Sequence, residues 1–166
     1  MTPRPPRLLL RDAESGDRDW MMRRLCASWG ESATAVAGGR RHDLAELPAC
    51  VALLDGEPAG IVTYRIEGDE CELVTLDSFA ERRGVGSALL ERVVSLARRR
   101  RCRRLWPITT NDNLNALRFY QRRGLRLVSV RPDAVVEARK LKPEIPAMGA
   151  EGIPIRDEIE LELELR

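Results

Sequence analysis

Residues 49–100 read as three β-runs in succession and then, after a glycine-bearing bend, one amphipathic helix. Residues 49–54 form an apolar run closed by Asp55-Gly56, a dipeptide suited to the positive φ of a hairpin turn. Residues 58–66 resume as a strand, Gly68-Asp69 turns the chain again, and residues 71–76 make a third run rich in β-formers. Runs joined by such short turns pair antiparallel. The following stretch, RRGVGSALLERVVSLARRRR, carries Leu89, Leu90, Val93, Val94, Leu96 and Ala97 as one stripe, so residues 86 to about 100 are helical. A three-strand meander feeding directly into a helix is not a βαβ unit.

The flanks extend this layer. Residues 7–11 read as a first strand and 17–29 as a helix. Residues 30–47 are polar and Gly-containing, and are expected to hold a second short helix and loops. A strand is expected at 105–109, a helix at 113–123 with Leu117, Phe119 and Tyr120 inward or nearly so, Gly124 as its C-terminal cap, and a strand at 125–130. Residues 132–154 form a connection punctuated by Pro and Gly, with a turn of helix near 134–140. In the final segment Ile159, Leu161, Leu163 and Leu165 alternate with Glu158, Glu160, Glu162 and Glu164. That is a half-buried strand with one carboxylate face. A glutamate stripe invites a substrate-binding role; the favoured reading is a solvated sheet face opposite arginines such as Arg126. The whole is α/β (α+β): a mixed, mostly antiparallel twisted sheet of about 6–7 strands flanked by about 4 helices.

Length and composition limit the classes further. A chain of 166 residues is the size of one domain, here 1–166, with 43% hydrophobic and 33% charged residues. No apolar run approaches the ~18–20 residues of a membrane span, and the amino terminus has only three consecutive leucines, too few for a signal peptide. Cys26, Cys50, Cys71 and Cys102 lie far apart and His42 is the single histidine, which argues against a metal site and a disulfide framework. These features fit a cytoplasmic protein with reduced thiols. A net charge of +2 demands no nucleic-acid partner.

Chemistry concentrates at Arg83, Gly84, Val85, Gly86, Ser87 and Ala88, where a strand turns into a helix. Glycines let a backbone approach a ligand closely, and the unpaired N–H groups of a helix start attract an anion. No Lys follows Gly86 as a P-loop needs, and Leu89 occupies the third small position of a dinucleotide fingerprint. The stretch resembles instead the acyl-CoA loop Q/R-x-x-G-x-G/A of the GNAT superfamily of N-acetyltransferases, with Arg83, Gly86 and Ala88 in register. Downstream, Asn113, Ala116, Tyr120 and Gly124 match that superfamily's N-x-x-A-x-x-x-Y-x-x-x-G. The likeness covers residues 8 to about 130 in element order, and the terminal strand fits the superfamily's last strand.

The resemblance implies the acyl-CoA N-acyltransferase fold, acetyl-CoA as co-substrate with no metal, and transfer of acetyl to a primary amine by direct attack on the thioester. It implies backbone contacts from Leu76 and Ser78 to the pantetheine arm, pyrophosphate binding by the amides of 84–88, a bond from Asn113 to the arm, and Tyr120 near the sulfur as general acid. The usual Val-x-Pro before the loop is replaced by Leu76-Asp77-Ser78-Phe79-Ala80, which weakens the carry-over to Ser78. For the base, Glu72 comes first, four residues before Leu76 and so expected on its face; Asp77, Glu70 and His42 are fallbacks, with His42 expected at the surface, and a water chain is a further alternative. The run at Arg98–Arg101, Arg103 and Arg104 reads as a solvated helix end, roughly 20 Å from the loop along the helix. A non-catalytic acyl-CoA-binding regulatory module is the alternative function, and nucleic-acid binding ranks last. The acceptor is not legible; residues 29–47 and 132–154 are implied to shape its site. A homodimer stays open, since dimers are common among similar proteins.

Overall fold

The computed structural model describes residues 3–166. Its strands are β1 (Leu8–Asp12), β2 (Thr34–Ala37), β3 (Arg40–Asp43), β4 (Ala49–Leu54), β5 (Glu57–Glu67), β6 (Glu70–Ser78), β7 (Arg104–Thr110), β8 (Arg126–Arg131) and β9 (Glu158–Glu164). Its helices are α1 (Arg18–Trp29), α2 (Val85–Arg99), α3 (Leu114–Gln121) and α4 (Ala134–Leu141). Seven strands form one mixed sheet in the order β1-β4-β5-β6-β7-β9-β8, all antiparallel except β6 beside β7. No helix among the described residues is long and apolar enough to cross a membrane.

The meander forms as its turn residues require. Asp55 (φ 52°) and Gly56 (φ 87°) both take the left-handed conformation of a two-residue hairpin turn between β4 and β5. The expected helix within 30–47 is absent. Residues 34–43 form the hairpin β2–β3, with Gly38 (φ 60°) and Gly39 (φ 75°) at its tip. Paired glycines favour that turn, and the two four-residue strands, TAVA and RRHD, carry no strong period-2 signal.

Two apolar clusters sandwich the sheet. On one face Leu89, Leu90, Val93 and Ala97 of α2 and Tyr120 of α3 pack on Val62, Tyr64, Cys71 and Leu73. On the other face Met21 and Leu25 of α1 and Ala35 of β2 pack with Val51, Ile61, Val74 and Phe79.

The carboxylate stripe of β9 is not solvated, which corrects the sequence expectation. Glu158 and Glu160 are 3% and 6% exposed. Arg104 donates to Glu160 at 2.8 Å and to Glu162 at 3.1 Å, and Arg131 donates to Glu160 at 2.5 Å. Buried carboxylates persist because they are paired. Arg126 does face Glu164, at 2.9 Å, on the exposed end of the strand. Arg104 and Arg103 therefore leave the basic run: Arg104 bonds Glu70 as well, and Arg103 pairs with Asp69 and Glu70. Arg98–Arg101 remain exposed at the end of α2.

Gly60 brings α2 close to the sheet. A Cβ there would lie 2.7 Å from Val85 Cγ1 and 2.9 Å from the Asp77 carbonyl oxygen. Gly60→Ala is expected to destabilise the protein by about 1–3 kcal/mol through overpacking, measured by urea denaturation.

Candidate active site

Pairing between β6 and β7 runs from Glu70↔Arg104 to Leu73↔Pro107 and then stops. A bulge on β6 explains the stop. On β6 the register against β5 jumps from Tyr64↔Leu73 to Thr63↔Thr75, leaving Val74 as an extra residue. Such a bulge bends and twists its strand. The two parallel strands part at their carboxyl ends, and a crevice opens where open α/β sheets bind ligands. The Phe79 N–H bonds Ala59 O on β5 at 2.8 Å. By two-residue alternation the N–H groups of Leu76 and Ser78 point the other way, into the split.

The bulge overturns the expected placement of Glu72. Val74 and Thr75 both lie on the α1 face, where Thr75 Oγ1 is 2.6 Å from Thr63 Oγ1. Parity reverses beyond that point, so Leu76 packs on the α2 face while Glu72 lies opposite it. Glu72 is 6% exposed, with Oε1 3.2 Å from Nε2 of His42 on β3. His42 is thus buried, not a surface residue. Glu70 is engaged by Arg103 and Arg104. Asp77 occupies the α1 side of the split and accepts from Trp29 Nε1 at 2.9 Å. Burial pushes its carboxyl above the ordinary value of 3.8, and the Trp29 hydrogen bond opposes that rise.

At the mouth of the split the chain turns into α2. Arg82 (φ 56°) and Gly84 (φ 72°) adopt left-handed conformations. The N–H groups of Val85, Gly86 and Ser87 have no backbone partner among the described residues. Ala88 differs: its N–H bonds Gly84 O at 3.0 Å, the first bond of the helix ladder, so its amide is not free for a ligand as expected. Val85 turns its side chain into the core, Arg83 is exposed, and a Cβ on Gly86 would come within 3.3 Å of Phe119. A cation unanticipated from the sequence stands here too. Arg123 Nε donates to Ser87 Oγ at 3.0 Å, with its guanidinium 3.7 Å from the centroid of the Phe119 ring.

Tyr120 is 7% exposed, edge-on to Phe119 with ring centroids 5.3 Å apart. Burial, and secondarily the charge of Asp77, raise its hydroxyl pKa, so it holds its proton. Asn113 caps α3, its Oδ1 accepting from Ala116 N at 3.1 Å, which leaves the amide nitrogen free of that role. The buried cysteines offer no nucleophile: Cys71, for one, is pushed up to about 12 by burial. Among the described residues no three His, Cys, Asp or Glu side chains gather as a metal would need.

On the α1 face the split opens into a cavity of about 430 Å³. Trp29 and the hairpin β2–β3 wall one side, α4 and residues 142–155 another, and Val74 with Ile108–Thr110 the back. The two segments whose roles were least legible therefore enclose it together.

A sheet parted beside a helix start with free amides suits an extended ligand with an anionic end. Residues 17–125 match the model of the acetyltransferase (GNAT) family, and the chain belongs to that family. The protein YdhI of Bacillus subtilis (strain 168) is 47% identical over 133 residues, 79% of this chain and 82% of YdhI. Among solved structures the fold is similar to an IAA acetyltransferase from Bacillus cereus ATCC 14579, at TM-score 0.72 and 18% identity over 96% of this chain and all 100% of that one. It is also similar to a GNAT family acetyltransferase from Elizabethkingia anophelis with acetyl-CoA bound, at TM-score 0.69 and 19% identity over 95% and 98% of the two chains.

A carboxyl with a raised folded pKa favours folding below its unfolded value, and that advantage is lost as pH rises through the folded one. Asp77→Asn, which can still accept from Trp29, is therefore expected to raise Tm near neutrality. The gain should fade as pH falls through the raised pKa of the Asp77 carboxyl and be absent below 3.8, read by calorimetry across pH.

Proposed function

We propose that the protein transfers the acetyl group of acetyl-CoA to a primary amine by direct attack on the thioester. The observation that carries this is the split between β6 and β7, edged by the N–H groups of Leu76 and Ser78, beside free amides at the start of α2. An extended pantetheine arm can add to β6 as a strand would. The diphosphate is then received by the amides of Val85, Gly86 and Ser87, with the loop N–H of Gly84 and the cations Arg83 and Arg123 alongside. The outer side of Gly84 is open, with nothing within 4 Å of a Cβ placed there. Ala88 contributes by being small. The amide nitrogen of Asn113 is the donor offered to the arm. The Elizabethkingia relative holds acetyl-CoA on a similar fold, which supports the reading.

Each proton has a candidate carrier. The attacking amine must be neutral, and an alkylammonium has a pKa near ~10. Asp77 on the α1 side of the split is the candidate base, directly or through water, in place of Glu72, which lies buried where β6 and β7 are still paired. Tyr120, protonated and buried, is the acid that returns a proton to the departing thiolate. N–H groups of β6 facing the split are suited to the developing oxyanion.

The test is thiol release from acetyl-CoA with a panel of amines. Tyr120→Phe should lower kcat by about 10²–10⁴-fold, the usual worth of general-acid help, with acetyl-CoA affinity unchanged by calorimetry. Full turnover in that variant would remove Tyr120 from the mechanism. Acetyl-CoA binding without thiol release for any amine would favour the non-catalytic binding module instead.

A further inference from the structure

The cavity on the α1 face has a chemistry of its own. Trp29, Val74, Ile108, Ile145 and Ile155 make most of its wall apolar. Three charged side chains also line it: Lys142, Glu144 and Glu158. Lys142 is already occupied, since Nζ donates to Thr34 O at 2.6 Å and to Trp29 O. It ties α4 to the end of α1 and the hairpin.

Glu158 is different. It is 3% exposed, and only its Oε2 is served: Gly38 N donates at 3.0 Å and Arg131 Nη1 lies 3.7 Å away. Oε1 has no hydrogen-bond donor among the described residues. Arg131 cannot neutralise it fully, because its other nitrogen serves Glu160 at 2.5 Å. Three carboxylates of β9, Glu158, Glu160 and Glu162, share two guanidinium groups, Arg104 and Arg131, and Arg104 also serves Glu70. Burial raises the Glu158 pKa, so a cation seated on Oε1 would both pair that oxygen and favour the ionised carboxylate.

Its distance from the split selects the ligand's shape. Glu158 pairs in register with Thr110 on β7. Two regular strand spacings are about 9–10 Å, a lower bound on the separation of β9 from β6 where β6 and β7 have parted. An aliphatic spacer of several carbons suits a span from the carboxylate to a reacting amine in the split.

Resting on the transferase reading, we infer that the acceptor is a small amine bearing a second, cationic group across a short apolar spacer, with that second group seated on Glu158. An acceptor with a carboxylate in place of the second cation meets like charge there.

Cadaverine, pentylamine and an amino acid of the same chain length with a terminal carboxylate test this by thiol release. A charged hydrogen bond is worth about tenfold or more, so kcat/KM should rank cadaverine above pentylamine by at least that factor, with the carboxylate analogue last. In Glu158→Gln the cadaverine-to-pentylamine ratio should collapse toward one while the acetyl-CoA affinity holds. Transfer without preference for cadaverine in the wild-type protein overturns the inference, as does a ratio unchanged in a Glu158→Gln variant shown folded by circular dichroism. If that variant does not fold, the wild-type ranking alone decides. Failure of the transferase reading has another signature, no thiol release with any amine, and it ends the inference as well.

Discussion

The parting of β6 from β7 is the constraint from which the rest of the site follows. Parallel neighbours normally exchange hydrogen bonds along their whole length, and leaving a buried edge unpaired is costly. Here the extra residue at Val74 bends β6 just where its pairing with β7 ends. The exposed edge beyond it is short, limited to the last residues of β6. It ends at the bend into α2, whose own first amides are unpaired. Two sets of free donors thus meet at one mouth, an arrangement that favours a long ligand with an anionic end over a compact one.

The same bulge decides which acidic side chain can act. By simple alternation Glu72 shares a face with Leu76. With one residue inserted between them it does not, and the carboxylate beside the split on the α1 face is Asp77. A single inserted residue leaves no mark in a run such as Cys71–Glu72–Leu73–Val74–Thr75, since every residue there suits a strand. The sequence showed the strand and the candidate residues; it could not show the parity.

Local signals were legible where one residue type meets one conformational need. Asp55-Gly56 and the glycine bend before α2 stand where their chemistry placed them. Signals that depend on a partner far along the chain were not. The hairpin β2–β3 was hidden because its strands have only four residues each. Gly60 gave no hint that a helix rests on it at Val85. Arg123 reads as one of many surface arginines until α3 brings it to Ser87. The glutamates of β9 read as solvated because Arg104 and Arg131, which pair with them, belong to two other strands.

That last misreading has a physical consequence. A carboxylate stripe in water is screened and tells a ligand little. Buried beside two arginines, the same stripe becomes a fixed field, and the only question is which of its carboxylates is least matched. Glu160 and Glu162 are matched by guanidinium nitrogens at 2.5–3.1 Å. Glu158, at the end of β9 nearest the cavity, holds its arginine only at 3.7 Å and leans on a single hairpin amide. The carboxylate least matched by arginine therefore stands at the cavity wall, and the tip of β2–β3 holds it. A hairpin that closes one side of the cavity thereby also orients one of its acidic groups, so the size and the polarity of the cavity are set by the same structural element.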